Sequence, residues 1–369
     1  MIRVLSMVWY KILPAKYGGQ KGIAGFNQYL AQHLPLACLC SENNSPGTLP
    51  YKLIPELPVS KWQFLSPAIR KKLRQTVVAE KATHIIVEHP YHGLAAIKTR
   101  KQTGAKLIVH SHNIESERFR KLGKWWWPLL SRYEKWVHRE ADLSLFKTEN
   151  DQQWAINHFG LQPQKCMVAP YGTAPISFTD NASTKKKIQE RHSLLPEVKI
   201  ILFAATLDYQ PNAKAVESIY KQIVPRLPAA NADFKVIICG RNSKSEFQYL
   251  QSLENKNVIM AGEVENIDEY FEAADLFINP VNSGGGVQTK NIDALAHHCS
   301  IVCFDGWIDK NIQALAPGKV FTAPGGNWDE FVHQILIASQ QRLPTNSLFF
   351  KAYSWEEIAR RVAERIRLL

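Results

Sequence analysis

The stretch "DLFINPVNSGGGVQTKNIDALAHH", residues Asp275–His298, decides how this chain reads. It opens as an apolar run of strand character, breaks at Gly284, Gly285 and Gly286, and closes in a helical pattern. Lys290 stands in the first turns of that pattern, with Asp293 one turn further on. A strand that feeds a helix through flexible backbone is the building unit of a parallel α/β sheet. Glycines let the backbone approach a ligand closely, and a helix N-terminus offers free N–H groups with a partial positive charge. Lys290 adds a full charge at that point, and Asp293 can accept hydrogen bonds from hydroxyls. The stretch therefore reads as an anion site. It is not the phosphate loop of the nucleoside triphosphatases, because GxxxxGK followed by Ser or Thr is absent.

Outward from this turn the same alternation runs along the whole chain. "IRVLSMV", "THIIVEH", "AKLIVHSHN", "DLSLFKT" and "KCMVAPYG" read as strands in the first half, separated by amphipathic helical segments. A polar, weakly periodic stretch near 174–197 interrupts the series. It restarts with "VKIILFAAT", "FKVIICG", "NVIMAGEV", "DLFINPV" and "SIVCFDG". Two such series predict an α/β protein of two Rossmann-like, doubly wound domains, 1–174 and 175–351. A final helix follows over 352–369, with Ser354 at its N-cap and Glu357 placed to complete a capping box.

Bulk properties agree. The chain has 369 residues, 45% of them hydrophobic, enough for two ordinary domains. No run approaches the roughly eighteen apolar residues of a membrane span. "MIRVLSMVWY" reads as a first strand, not a secretory signal. The six cysteines show no CxxC pair and read as reduced thiols of a cytoplasmic protein. A formal charge of +12 favours anionic partners: nucleic acid, lipid surfaces or phosphorylated small molecules.

Three further stretches carry candidate sites. In "YGGQKGIAGF", Gly18, Gly19, Gly22 and Gly25 precede a helix at spacings that are not GxGxxG, so no nicotinamide fingerprint is read. Close approach to a ligand and a plain connecting loop both fit. In "LIVHSHNIESERFR", His110 and His112 end a strand and are read as pointing to opposite faces, so that one meets the ligand; Asn113 and Glu115 follow at the helix entry and are read as part of an acceptor-side or membrane patch. A histidine there can act as acid, base or hydrogen-bond partner, or be a structural one. In "KLGKWWWPLLSRYEKWVHR", Lys124, Trp125, Trp126 and Trp127 suit an anionic membrane interface, base stacking or core packing.

Taken in order, these blocks resemble the family 4 glycosyltransferases of the GT-B fold over essentially the whole length. The matching blocks are "YGGQKGIAGF", "VHSHNIES", "SLFKTENDQ", "VAPYGT", "ILFAATLDYQPN" and "GEVENIDEYFEAADLFINPVNSGGGVQTKNIDALA". The resemblance implies two Rossmann-like domains facing across a cleft, with the last helix crossing back to the N-terminal one. It implies transfer of a hexosyl-type sugar from a nucleotide diphosphate sugar to an acceptor hydroxyl with retention. Surface polysaccharide, lipopolysaccharide or glycoconjugate synthesis is the implied context. Donor binding falls to the C-terminal domain through Gly284, Gly285, Gly286, Val287, Lys290 and Asp293, with Gly18 and Gly19 closing on the phosphates. His112 matches the family's active-site histidine, and with Lys290 it is the expected catalytic pair. No cofactor and no metal are expected.

The chain also departs from the family pattern. Gly285 stands where the first of two glutamates is usual, and Asp293 replaces the second. Thr206 replaces an arginine, and Pro211 and Asn212 lie where a lysine is usual. Arg241, after "FKVIICG", is the expected substitute cation. The expected partners are a nucleotide-sugar donor, a glycan or lipid-linked acceptor and an anionic membrane surface, with no nucleic acid. The expected location is cytoplasmic, peripheral on the inner face of the membrane. An epimerase of nucleotide sugars on the same fold and a non-catalytic polyanion binder are the alternative readings.

Overall fold

A computed structural model describes the chain apart from residues 16–17, 46, 61–62, 175, 179–180, 228–233, 285–287 and 341. Gly285, Gly286 and Val287 of the expected donor site thus lie outside the described residues. The chain forms two compact units. Met1–Gly172, Gly284 and Tyr353–Leu369 build one, and Thr173–Ser283 with Gln288–Ala352 build the other.

The first unit carries seven strands: β1 Val4–Val8, β2 Leu36–Ser41, β3 Lys52–Leu57, β4 His84–Glu88, β5 Lys106–Ser111, β6 Leu143–Phe146 and β7 Cys166–Val168. They lie in the order β3-β2-β1-β4-β5-β6-β7, every pair parallel. The second unit holds β8 Lys199–Ala204, β9 Phe234–Cys239, β10 Val258–Gly262, β11 Leu276–Asn279, β12 Ser300–Phe304 and β13 Val320–Ala323. Their order is β10-β9-β8-β11-β12-β13, again all parallel. Strands covered on both faces need near-continuous apolar sequence. β1, β4 and β11 accordingly bury every residue. Strand order reverses at β1/β4 and at β8/β11, and ligands of such sheets bind beyond the strand ends at these points.

Three strands escaped the sequence reading. β2 follows its helix with little warning, β3 contains Pro55, and β13 has four residues. β3 and β13 are edge strands, where proline and short length are tolerated because one side needs no partner.

The glycine cluster is a correction. Gly18, Gly19, Gly22 and Gly25 lie inside helix Gly18–His33 and do not precede it. A Cβ on Gly25 would sit 2.9 Å from the Trp355 ring, and one on Gly22 3.3 Å from Tyr171. At Gly22 and Gly25, the absent side chains serve helix packing. Trp355 opens the last helix, Trp355–Arg367, which is capped by the Ser354 hydroxyl accepting from Glu357 N. That helix packs on helix Gly18–His33, and Arg367 donates to the His33 carbonyl at 2.9 Å. All six cysteines are unpaired, and five are buried.

Candidate functional site

In the first unit, β4 and β5 end side by side with Glu88 opposite His110. The Glu88 carboxylate is wholly buried and accepts from His110 Nδ1 at 3.1 Å and from His112 Nε2 at 2.6 Å. This overturns the expectation of opposite faces. Residues two apart on an extended strand return to the same face, and the two rings stand with centroids 4.6 Å apart. Burial alone would raise the Glu88 carboxyl, but the two histidines outweigh it and hold the group far below the usual carboxylate range. Burial pushes His110 down, and burial with the neighbouring His89 pushes His112 well down. The cluster is thus an ionised carboxylate receiving two N–H donors from neutral imidazoles.

Lys147, just after β6, is buried beside this cluster, its ammonium without a hydrogen-bond partner among the described residues and 5.8 Å from the Phe26 ring centroid. Burial lowers it to about 8, against the pull of Glu88. The ligand atoms of Glu88, His110 and His112 lie within 4.8 Å of one another, a spacing open to a divalent ion. The ring nitrogens are already donating to Glu88, however, and the charge of Lys147 bears on both histidines. A second cation is disfavoured there.

His89 is a site residue that the sequence reading missed. Its backbone sits at φ 67°, ψ 157°, a region almost confined to glycine, at a cost of about 1–3 kcal/mol. Its Nδ1 lies 3.0 Å from Glu115 Oε1, and its ring stacks on His112 at 4.4 Å. Glu115 also accepts from Tyr91 Oη at 2.9 Å and from Arg118 at 3.1 Å. Burial would raise this carboxyl, but the His89 hydrogen bond and its other partners hold it to about 2. Glu115 is therefore no part of a surface patch: it is wholly buried. Asn113 is half-buried in the turn, where its carbonyl accepts from the Ser111 hydroxyl.

The tryptophan-rich segment divides. Trp125 is 83% exposed, between helices Glu115–Lys121 and Trp127–Glu140, and Leu122 and Leu129 are exposed nearby. Lys121, Lys124 and Arg132 are also exposed. Trp126 and Trp127 are half-buried, the former against Phe119 and the latter under Arg120.

In the second unit, β11 is followed along the chain by helix Thr289–Ala296; Gly284 between them has φ 104°. Among the described residues no side chain caps that helix at Gln288; the Asn291 amide bonds the Gln288 carbonyl at 2.9 Å, and the start of a helix is where an anion finds N–H donors. Lys290 in the first turn donates to Asn212 Oδ1 at 3.0 Å and lies 5.2 Å from the Phe203 ring centroid. Asn212 in turn donates to the Thr206 carbonyl at 2.8 Å. Burial lowers the Lys290 amine to about 7. Asp293 is half-buried one turn on, and its carbonyl takes both the ring and the amide of His297.

Arg241 follows β9 and is bound to Asp208 at 3.0 Å. Asp208 also collects Ser243 N, Ser243 Oγ and Lys244 N. Burial would raise its carboxyl, yet these donors hold it to about 2. The guanidinium is therefore already countered by a carboxylate. Behind the Lys290 helix, buried Asn279 donates to Asn291 at 2.9 Å, tying the end of β11 to the helix. Nothing in the local pattern announces this pair.

Known proteins resemble the chain in both halves. Residues 39–175 match the profile of Glycosyltransferase Family 4, and residues 198–341 that of Glycosyl transferases group 1. Sucrose-phosphate synthase from Thermosynechococcus elongatus superposes with a TM-score of 0.77 at 12% identity, covering 99% of this chain and 98% of the other. HepE from Anabaena, in complex with UDP, gives 0.73 at 14% identity and covers 100% of both. A curated relative, the processive diacylglycerol beta-glucosyltransferase of Bacillus licheniformis, is 26% identical over 162 residues. That match spans 43% of this chain and only 39% of the relative.

Proposed function

The chain belongs to the family 4 glycosyltransferases of the GT-B fold, and from that premise we propose its reaction. It moves a hexosyl group from a nucleoside diphosphate sugar to an acceptor hydroxyl, with retention at the anomeric carbon. The acceptor is lipid-linked, at the inner face of a membrane, in the synthesis of a surface glycan or glycoconjugate.

One observation carries the donor assignment. The Lys290 amine lies at an uncapped helix start, among groups that leave it short of counter-charge. A diphosphate supplies that charge, and the helix N–H groups add fixed donors. HepE of Anabaena, solved with UDP and with UDP-glucose, supports a nucleotide donor. The Bacillus relative, named for transfer to diacylglycerol, supports a lipid acceptor. The exposed Leu122, Trp125 and Leu129 among basic residues support a membrane surface. No helix among the described residues is long and apolar enough to cross a membrane.

In the proposed step the bond between the anomeric carbon and the diphosphate breaks, and its electron pair stays on the phosphate oxygen. Lys290 and the helix end stabilise that growing charge, while Arg241 stays paired with Asp208. The acceptor oxygen bonds to the anomeric carbon from the face the diphosphate leaves, and its proton passes to the departing phosphate. His112 hydrogen-bonds the transferred sugar. No divalent ion is proposed in this step, so turnover is expected to persist in EDTA.

A thermal-shift screen of nucleoside diphosphate sugars tests the reading, since a ligand that binds only the folded state raises its melting point. One of them is expected to stabilise the chain, and Lys290→Ala to remove most of both stabilisation and turnover. Stabilisation by none of them, or full turnover by Lys290→Ala at saturating donor, sinks it. The anomeric configuration of the product, read by NMR, decides retention.

A further inference from the structure

β5 and β6 pair with His110 opposite Leu145 and Ser111 opposite Phe146. Carried one residue further, that parallel register sets Lys147 next to His112. Side chains two apart on a strand share a face, so Leu145 and Lys147 fall on the face of His110 and His112. The Phe26 ring of helix Gly18–His33 marks this side, 4.5 Å from the His110 ring and 5.8 Å from Lys147 Nζ. On the other flank of β5, Glu88 of β4 stands opposite His110. Three neighbouring strand ends thus gather one carboxylate, two imidazoles and one amine.

A buried charge is tolerated where an opposite charge or hydrogen bonds answer it. Lys147 is 5% exposed, and its ammonium has no hydrogen-bond partner among the described residues. Glu88 is 0% exposed, and its two hydrogen bonds come from imidazoles. Each of these charges therefore answers the other across the histidines. Burial lowers Lys147 only to about 8, with Glu88 pulling it up, so the amine is still charged at neutral pH. Its charge in turn helps to hold both imidazoles down. The other titratable groups facing the cluster are His89, stacked on His112, and Cys38 of β2, whose thiol Glu88 helps to raise.

We infer that Lys147 is the counter-charge of Glu88 and a positioning residue for the histidine pair, carrying the cluster's positive charge so that His110 and His112 stay neutral. Without the amine, the Glu88 carboxylate would draw a proton onto the imidazoles instead. The charge would then move toward His112, whose side chain is 11% exposed against 0% for His110. The effect on turnover, through His112, rests on the transferase reading above; the charge pairing does not.

Histidine titrations of the full chain, followed by NMR, need no ligand. In the parent, His110 and His112 should remain neutral at pH 6.5, the ordinary midpoint of the group. In Lys147→Met the pair should take up a proton about one pH unit or more higher than in the parent. Lys147→Met with Glu88→Gln removes both charges and should leave the pair neutral again. A role in packing alone would lower the melting point of Lys147→Met and leave the histidine titration where it was, and that result overturns the inference. Should Lys147→Met not fold, the double variant decides. Folding regained on removing the second charge supports the pairing, and a double variant as unstable as the single overturns it.

The second measurement uses the nucleotide sugar that stabilises the chain in the screen. The acid limb of the kcat profile should move up with the histidine titration in Lys147→Met, while KM for the donor stays the same. A limb that stays put while the titration moves overturns the positioning role. If no nucleotide sugar binds, the transferase reading falls, and the titrations still decide the charge pairing.

Discussion

Lys290 Nζ donates to Asn212 Oδ1 at 3.0 Å, joining the helix after β11 to the helix after β8. Burial lowers this amine to about 7 from an ordinary 10.5. The folded chain therefore releases the proton near pH 7, whereas the unfolded chain keeps it to about 10.5. The penalty on folding is full below pH 7 and fades as pH rises through that window. Lys290→Met should raise the melting point more at pH 6 than at pH 10. An equal gain at both would contradict this account.

The same amine makes nucleotide binding proton-linked. A diphosphate beside Lys290 restores its charge, so binding at pH 8 should take up a fraction of a proton. Calorimetry in buffers of different ionisation enthalpy measures this. A heat of binding that does not vary with buffer, or uptake that survives Lys290→Met, would place the proton elsewhere.

Glu134 accepts from Glu115 N at 2.8 Å and Ser116 N at 2.9 Å, and so caps helix Glu115–Lys121 from inside. Replacing it by Ala leaves two buried N–H groups without a partner. Urea unfolding of Glu134→Ala should show a loss of about 1–3 kcal/mol. Burial raises this carboxyl to about 7 from an ordinary 4.5. Between these values the folded chain holds the extra proton, so its contribution weakens as pH rises from about 4.5 to 7. Glu134→Gln should flatten that slope; an unchanged slope would acquit Glu134.

Gly25 leaves no room for a side chain, with Trp355 atoms 2.9 Å from where a Cβ would lie. Gly25→Ala should cost about 1–3 kcal/mol by overpacking. In Trp355→Leu, itself destabilised, the same change should cost far less. Additive losses in that double-mutant cycle would show that the two sites do not compete for space.

Trp125 and its basic neighbours predict a membrane preference. The chain should float with vesicles of phosphatidylglycerol and not with phosphatidylcholine, with binding falling as salt is added. Trp125→Ala with Lys124→Glu should lower vesicle binding at least tenfold while the melting point stays put. Flotation unaffected by that double variant would remove this face from consideration.

How legible was all this in the sequence? The alternation of apolar runs with amphipathic segments gave the two doubly wound sheets, because strand and helix periods are local and survive in a one-dimensional pattern. The positions of Lys290 in the first turn of its helix and of His112 at a strand end were legible for the same reason. β3 and β13 were not, since edge strands bury one side only and may carry Pro55 or stop at four residues. The glycines of "YGGQKGIAGF" misled: glycine marks close approach, but only Trp355 and Tyr171 reveal what approaches Gly25 and Gly22.

The sequence by itself determined the fold class, the succession of strands and helices, and the position of the last helix cap at Ser354. Those are properties of neighbours along the chain, where spacing fixes which groups share a face. Only the tertiary structure decided that Glu88 holds two histidines, that Glu115 is buried beneath His89, and that Arg241 is spent on Asp208. These partners are 22, 26 and 33 residues apart. Whether a charge is paired or open depends on which strand ends the sheet order brings together, and no local period encodes that order.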